Sequence, residues 1–233
     1  MVSKPSEMYD ASSEAMSAEA REKYINETLT KAIQYAYQNA PSVREKMDGA
    51  GVSPSDIVTV KDLERISITS MGELVTLQRT NPPFGGFLGI PLQDVEQIFS
   101  SPGPIYEPTL LKEHLSAFAK MSYAAGFRKG DVVISTPSHH LVGAGALGDG
   151  GLNFLGITVV PTGPGNTELQ LQIMRDLNAN GYCGYPTFLL NIIKKAEELG
   201  YNFRQDFTIR RALFGGEPYP PSLRNTLEND YGI

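Results

Sequence analysis

The sequence has a single cysteine, Cys183, among its 233 residues. One thiol cannot form an internal disulfide or a cysteine-based metal site, and such sparse usage fits a reducing compartment. Basic residues are outnumbered, 20 Lys and Arg against 26 Asp and Glu, for a formal net charge of −6. They form no cluster anywhere in the chain. A nucleic-acid partner would need a basic face, so none is expected. An anionic small molecule would have to be held locally, by backbone N–H groups or a helix N-terminus. No apolar run approaches the roughly 20 residues of a membrane-spanning helix, so no membrane partner is expected. The opening "MVSKPSEMYDASSEAMSAEA" is polar and lacks the apolar core of a signal peptide. A cytoplasmic location is the resulting expectation. A G-x-S-x-G nucleophile motif, internal repeats and low-complexity tracts are all missing.

What remains is an ordinary globular composition, 41% apolar and 20% charged. The length suits one large α/β domain or two small ones. Character changes near residue 92. Before it the pattern is helical and irregular. A helix is predicted over 12–40, with Ile25, Leu29, Ile33 and Ala36/Tyr37 on one face, stopped by Pro41. "GVSPSDIVTVKDLERI" and "ITSMGELVTL" read as a loop and two short helices, with 62–66 open between helix and strand. "NPPFGGFLGIP" reads as an extended loop.

From residue 92 onward, strands and helices alternate. Strands are predicted at 95–99, 131–136, 157–160, 181–185 and 210–216. Helices are predicted at 109–125, 145–155, 167–179, 186–199 and 221–230. The helix at 109–125 presents Leu111, Leu115, Phe118 and Ser122. The helix at 167–179 presents Leu169, Ile173, Met174 and Leu177, and its "TELQ" start reads as a capping box from Thr167 to Gln170. The helix at 186–199 presents Leu189, Ile192, Ile193 and Ala196. The expected fold class is therefore α/β, a helical N-terminal region (1–91) followed by a mostly parallel sheet flanked by helices (92–233). Ligands of such sheets bind beyond the carboxyl ends of the strands. Five segments lie there: "SSPGPIYEP", "PSHHLVGAG", "PTGPGNTE", "YPTF" and "GGEPYPP". All five are rich in Gly, Pro, Ser or Thr, and together they outline one crevice.

Several short patterns have a chemical and a plain reading. "GAGALG" (143–148) is a literal G-x-G-x-x-G. Its strand ends too early for a dinucleotide fingerprint, and no acid follows the next strand, so close packing of a glycine-rich helix is preferred. His139 and His140 are adjacent and point apart, and His114 lies in a helix without ligand spacing to them. No metal site is expected. The pair reads either as pocket wall or as solvated loop. Cys183 reads as a small core residue rather than a nucleophile. "FGGEPYPP" (214–221) is either a structural turn or a flat surface for stacking a planar base.

Matches spread over nearly the whole chain carry a resemblance. They include "MYD" (8–10), "YAYQNAPSVREKM", "LERISITS", "NPPFGGFLGIPLQDV", "GFRKGDVV", "LGITVVPTGPGNTELQLQIMRDL", "YPTFLLNI" and "FGGEPY". With these, the chain resembles the N-terminal part of the phenylacetate–coenzyme A ligase family, within the adenylate-forming acyl-CoA synthetases. The resemblance implies a two-step reaction. A carboxylate attacks the α-phosphate of ATP to give an acyl-adenylate, and coenzyme A then displaces AMP. It implies ATP/AMP, Mg²⁺ and CoA, an aromatic carboxylate of the phenylacetate type, and a homodimer or a complementing C-terminal half as partner.

The residues carry over unevenly. Gly215, Gly216, Glu217 and Pro218 match the turn that lies along adenine, with Tyr219 at a commonly aromatic position. His139 stands where an aromatic residue faces the acyl group. His140, Gly143, Gly145, Tyr185 and Pro186 would line the same region. The stretch at 99–108 matches the family's phosphate loop S-S-G-T-T-G-K-P at Ser101, Gly103 and Pro108. Pro102 replaces serine, Pro104 and Ile105 replace two threonines, Tyr106 a glycine, and Glu107 the lysine. Two N–H groups, three hydroxyls and a cation are thus removed. Reversing a charge about 5 Å from a phosphate shifts the pair energy by several kcal/mol at an effective dielectric near 20. Nucleotide contact is left to Ser100, Ser101, Gly103 and Tyr106. The chain stops at "ENDYGI", just before the family's Y-G-x-(S/T)-E motif and the C-terminal domain with its catalytic lysine. No catalytic residue is therefore assigned, and the isolated chain is expected to be inactive. Two expectations stand: the N-terminal part of an aryl-acid–CoA ligase, or a non-catalytic ligase-like binding or assembly subunit.

Overall fold

The computed structural model describes residues 8–233, so the first seven residues of the polar N-terminal stretch lie outside the described residues. The described chain forms two compact units, residues 11–110 and residues 8–10 with 111–233. The boundary expected between residues 91 and 92 falls inside the first.

The first unit begins with α1 (Ala11–Glu14), α2 (Ala18–Asn39) and α3 (Pro41–Gly49). The helix predicted from residue 12 is interrupted before α2, where Ser17 caps the new start and its Oγ accepts from the Ala20 N–H at 3.1 Å. Pro41 ends α2 and opens α3 at its first turn, where its missing N–H costs nothing. Leu29, Ile33 and Tyr37 pack on Met47, Val52 and Ile57. Ile25, expected on the same face, is exposed because that cluster begins a turn later at Leu29. Two 3₁₀ turns follow, Pro54–Asp56 and Val60–Arg65, which resolves most of 62–66 as helical. Next come α4 (Met71–Thr80) and a 3₁₀ turn at Leu92–Asp94.

The unit ends in an antiparallel hairpin of β1 (Gln97–Ser101) and β2 (Ile105–Thr109). This corrects the sequence reading, which put a strand of the main sheet here and a loop after it. Pro102-Gly103-Pro104 reverses the chain, with Gly103 at φ 149°, and Ser101 pairs directly with Ile105. A strand that turns back on itself cannot feed a parallel crossover. Gln78 of α4 docks the hairpin like a strand neighbour. Its Nε2 donates to the Tyr106 carbonyl at 2.9 Å, and its Oε1 accepts the Tyr106 N–H at 2.8 Å.

The second unit carries the α/β pattern, with α5 (Leu111–Ala124), β3 (Val132–Ser135), α6 (Ala144–Phe154), β4 (Thr158–Pro161), α7 (Thr167–Asp176), β5 (Gly181–Gly184), α8 (Pro186–Glu198), α9 (Phe203–Asp206), β6 (Arg211–Phe214) and α10 (Pro221–Asn225). A π-helical turn, Thr226–Tyr231, continues α10. The four strands are parallel, in the order β4-β3-β5-β6. Side chains alternate between two cores. Ile134 and Tyr182 point toward α7 and α8, among Leu171, Met174, Leu189, Ile192 and Ile193. Val133 and Cys183 point the other way, among Phe127, Leu152 and Ile157. On that second face α6 lies close against α5. A Cβ at Gly151 would run into Phe118, which is the close-packing reading of the glycine-rich helix.

Helix α7 departs from its sequence reading by one position. Gln170, Leu171 and Met174 are buried, while Leu169 and Leu177 are half exposed. Thr167 is already helical, and Asn166 is the cap residue without a side-chain bond, so no capping box forms. Gln170 is drawn inward instead. Its Nε2 donates to the Gly163 carbonyl at 2.8 Å and to Thr162 Oγ1 at 3.1 Å, bracing the loop after β4.

Candidate functional site

Strand order locates the crevice. β3 connects outward to β4, whereas the chain then passes back over β3 to β5 and continues to β6. Right-handed connections running in opposite directions put their helices on opposite faces. The carboxyl ends of β3 and β5 therefore form the switch point of the sheet, the usual ligand position in such folds. Two residue groups stand on this edge of the second unit.

The first group follows β3. Ser135, the last strand residue, faces α6 and donates its hydroxyl to Asp149 Oδ1. Asp149 Oδ2 holds His139 Nε2 at 2.7 Å, with side chains 15% and 27% exposed. Gly145 and Asp149 lie four residues apart on one face of α6. A Cβ at Gly145 would meet His139 Cδ2 at 2.6 Å and the Ser138 carbonyl at 2.7 Å, so glycine allows the imidazole to lie on the helix. Gly143 is the cap residue of α6. His140 shares the loop, but its bonds are made by its backbone, to the Ser138 hydroxyl. Leu141 follows at φ 64°, an uncommon conformation for a branched residue.

The second group follows β5 and β6. Tyr182 is fully buried, and its hydroxyl bridges Thr136 Oγ1 at 2.8 Å and the Tyr185 carbonyl at 3.0 Å. Burial pushes the phenol well above its ordinary range, so it acts as a fixed neutral strut. Tyr185 and Pro186 open α8, with proline at the first helical position. The turn after β6 lies against this opening. Gly216, at φ 77°, passes so near the Tyr185 ring that any Cβ would overlap it. Glu217 accepts from the Thr187 hydroxyl at 2.7 and 2.8 Å and from the Thr187 N–H at 3.3 Å, a carboxylate cap on α8. Tyr219 packs on Phe214, ring centroids 4.9 Å apart, with Pro218 between them in sequence. Gly215 faces open space where a side chain would stand.

Cys183 follows Tyr182 on β5 and is buried. Burial first, and then the charge of Asp149, push its thiol up to about 12. It stays protonated and serves as core.

Ser100, Ser101, Gly103 and Tyr106 belong to the first unit. Ser100 pairs with Tyr106 across the hairpin, and Gly103 is the turn residue. The Ser101 hydroxyl donates to Glu107 Oε1 at 2.6 Å. The Ser101 hydroxyl is thus engaged by a carboxylate of its own hairpin. Among the described residues no group of three or more His, Cys, Asp or Glu could hold a metal ion, and no helix is long and apolar enough to cross a membrane.

Sequence reading missed Asp149, Ser135, Thr136, Tyr182 and Thr187. Only Asp149 left a signal, its four-residue spacing from Gly145 on the helix beside the histidines. The others act through pairings across strands or between loops, which spacing does not encode.

No family model matches the chain. It is 30% identical over 227 residues to the phenylacetate-coenzyme A ligase of Pseudomonas putida, covering 94% of this chain and 50% of that protein. It is 30% identical over 214 residues to the phenylacetate-coenzyme A ligase of Aromatoleum evansii, covering 89% and 47%. The chain spans about half the length of the curated relatives it matches. Among solved structures, it superposes on an open conformation of 2-hydroxyisobutyryl-CoA ligase in complex with 2-HIB-AMP and CoA. The TM-score is 0.88 and the identity 25%, with 93% of this chain and 49% of that one covered. The postadenylation state of that ligase gives a TM-score of 0.88 at 26% identity, covering 93% and 48%.

Proposed function

We propose, from the premise that this chain is related to the phenylacetate–coenzyme A ligases and corresponds to their N-terminal part, that it carries the acyl- and adenylate-binding edge of an ATP-dependent acid–CoA ligase. The observation that carries the reading is the carboxyl edge of the parallel sheet. There the turn 215–219 is fastened to Tyr185 and Thr187, and His139 is laid on α6, on the two sides of the β3/β5 switch point.

In this reading the exposed face of Gly215 and Gly216 receives adenine, with Pro218 and Tyr219 keeping the turn rigid. Glu217 locks the turn through Thr187. His139, Gly143, Gly145, Tyr185 and Pro186 border the acyl group, and His140 stands at its rim. An oxygen of the acid attacks the α-phosphorus of ATP, pyrophosphate leaves, and the acyl-adenylate stays in the cleft. The sulfur of coenzyme A then attacks the acyl carbon, and AMP leaves with the bonding electrons. Mg²⁺ would travel with the ATP phosphates; no step is assigned to a metal ligand of this chain. The acid is an arylacetate or a related small carboxylate. Association with a second copy or with a complementing half, and a cytoplasmic setting, belong to the same proposal. No observation favours the alternative of a non-catalytic ligase-like assembly subunit.

Carboxylate-dependent exchange of pyrophosphate into ATP, together with binding of phenylacetyl-sulfamoyl-adenosine, tests the reading. Binding of the analogue by the 233-residue chain, and exchange with an arylacetate when a complementing C-terminal half is supplied, support it. No binding of the analogue, and no exchange with any acid when that half is present, contradict it.

A further inference from the structure

His139 has more structure around it than a pocket-wall residue requires. Its Nε2 meets Asp149 Oδ2 at 2.7 Å, and the other oxygen of Asp149 takes the hydroxyl of the fully buried Ser135. A carboxylate offers only lone pairs, so the hydrogen on this bond is carried by Nε2. The Cγ and Cδ2 atoms of the same ring lie over Gly145. The edge made of Cγ, Cδ2 and Nε2 is therefore turned to α6, and the opposite edge, with Nδ1 and Cε1, is turned away from it. Among the described residues, Nδ1 has no protein hydrogen-bond partner. With Nε2 bearing the hydrogen, the neutral ring presents Nδ1 as an acceptor.

We infer that Asp149 is a positioning residue that fixes His139 as its Nε2–H form, and that Nδ1 receives a hydrogen-bond donor on the acyl portion of the substrate. This rests on the proposed acyl-binding role of the cleft and narrows it. The preferred acid carries a hydroxyl on its acyl group, where an unsubstituted arylacetate has only carbon and hydrogen. An apolar group seated on this edge would strip water from Nδ1 and return nothing. Sites built to accept a substrate hydroxyl discriminate strongly against the analogue that lacks it, because a polar group is then left unpaired. Ser135 completes the device by fixing the carboxylate, so that the ring is held from the strand through the helix.

Two measurements on the 233-residue chain test this. Long-range ¹H–¹⁵N correlation of the imidazoles reports the tautomer of His139, with His114 and His140 as internal references. The Nε2–H form is expected in the wild type, and Asp149→Asn, whose amide can donate to the ring, is expected to move the hydrogen to Nδ1. Calorimetry then compares sulfamoyl-adenosine analogues of phenylacetate, of its α-hydroxylated form and of its three ring-hydroxylated forms. At least one hydroxylated member should bind tenfold or more tightly than the phenylacetyl analogue, and His139→Phe should erase that preference. An Nδ1–H wild-type ring overturns the positioning role. Equal affinities across the panel, or a preference that survives His139→Phe, overturn the substrate class while leaving the ligase reading intact. Failure of every analogue to bind counts against the ligase reading itself, and the acceptor role falls with it.

Discussion

At the scale of single residues, charge and hydrogen-bond direction decide more than residue type. Glu107 stands where the resembling family has a lysine, and it accepts the Ser101 hydroxyl. In the proposed reading, replacing it frees that hydroxyl and takes a negative charge away from the place a phosphate would occupy. Glu107→Lys should therefore tighten ATP binding, by about tenfold once solvent screening is allowed for. An unchanged dissociation constant would place the hairpin out of reach of the phosphates. Glu217, which the resemblance implies lies along the nucleotide, accepts from Thr187 at the start of α8. Glu217→Gln should cost about 1 kcal/mol in denaturant unfolding, the scale of a lost helix cap. Equal stability would mean the cap is not formed in solution. Gly215 makes the complementary case. Because a side chain there meets open space, Gly215→Leu should leave the unfolding midpoint in place and weaken adenylate binding. Loss of stability with unchanged affinity would reverse its assignment from ligand face to structural turn.

At the scale of elements, what was legible in the sequence was what local chemistry decides. The strand–helix alternation after residue 130 gave β3 to β6 and the helices between them, because each helix shows a 3.6-residue apolar period and each strand a short apolar run. The inward face of α8 was readable to the residue: Leu189, Ile192, Ile193 and Ala196 are all fully buried. Where tertiary contacts compete, the pattern misled. The Thr167–Gln170 capping box was a sound local motif, overridden because Gln170 braces the loop after β4. The segment at 95–109 has strand propensity but no code for its partner, so its hairpin pairing was invisible. Two 3₁₀ turns of the first unit carry a pH dependence. The Asp62 carboxyl is held below its usual range, first by the Thr59 hydroxyl and then by the N–H groups of Thr59 and Val58. Asp56 is held down in the same way by Ser53. A carboxyl whose folded value is depressed lends stability above its unfolded value, near pH 4, and loses it as pH falls through the folded value. Amide exchange at Ser53, Val58 and Thr59 should accelerate relative to the intrinsic rate between pH 5 and pH 2. Constant protection over that range would show that these caps do not hold the turns.

At the scale of the whole molecule, the candidate site is a property of topology. His139 and the 215–219 turn are about 75 residues apart in sequence and share one sheet edge because β3 and β5 are neighbours while their helices leave on opposite faces. The sequence reading found the loops of that edge, and it missed Asp149 and Tyr182, which hold them in place from the helix and from the next strand. The central claim is that this edge binds an acyl-adenylate. Its most direct test is the amide and histidine chemical-shift map of the 233-residue chain titrated with phenylacetyl-sulfamoyl-adenosine. The account predicts saturable shifts concentrated at His139, Tyr185 and Gly215–Tyr219, with the opposite, amino end of the sheet around Asp131 and Asn180 unmoved. Saturable shifts centred elsewhere, or none at any concentration of the analogue, would contradict it.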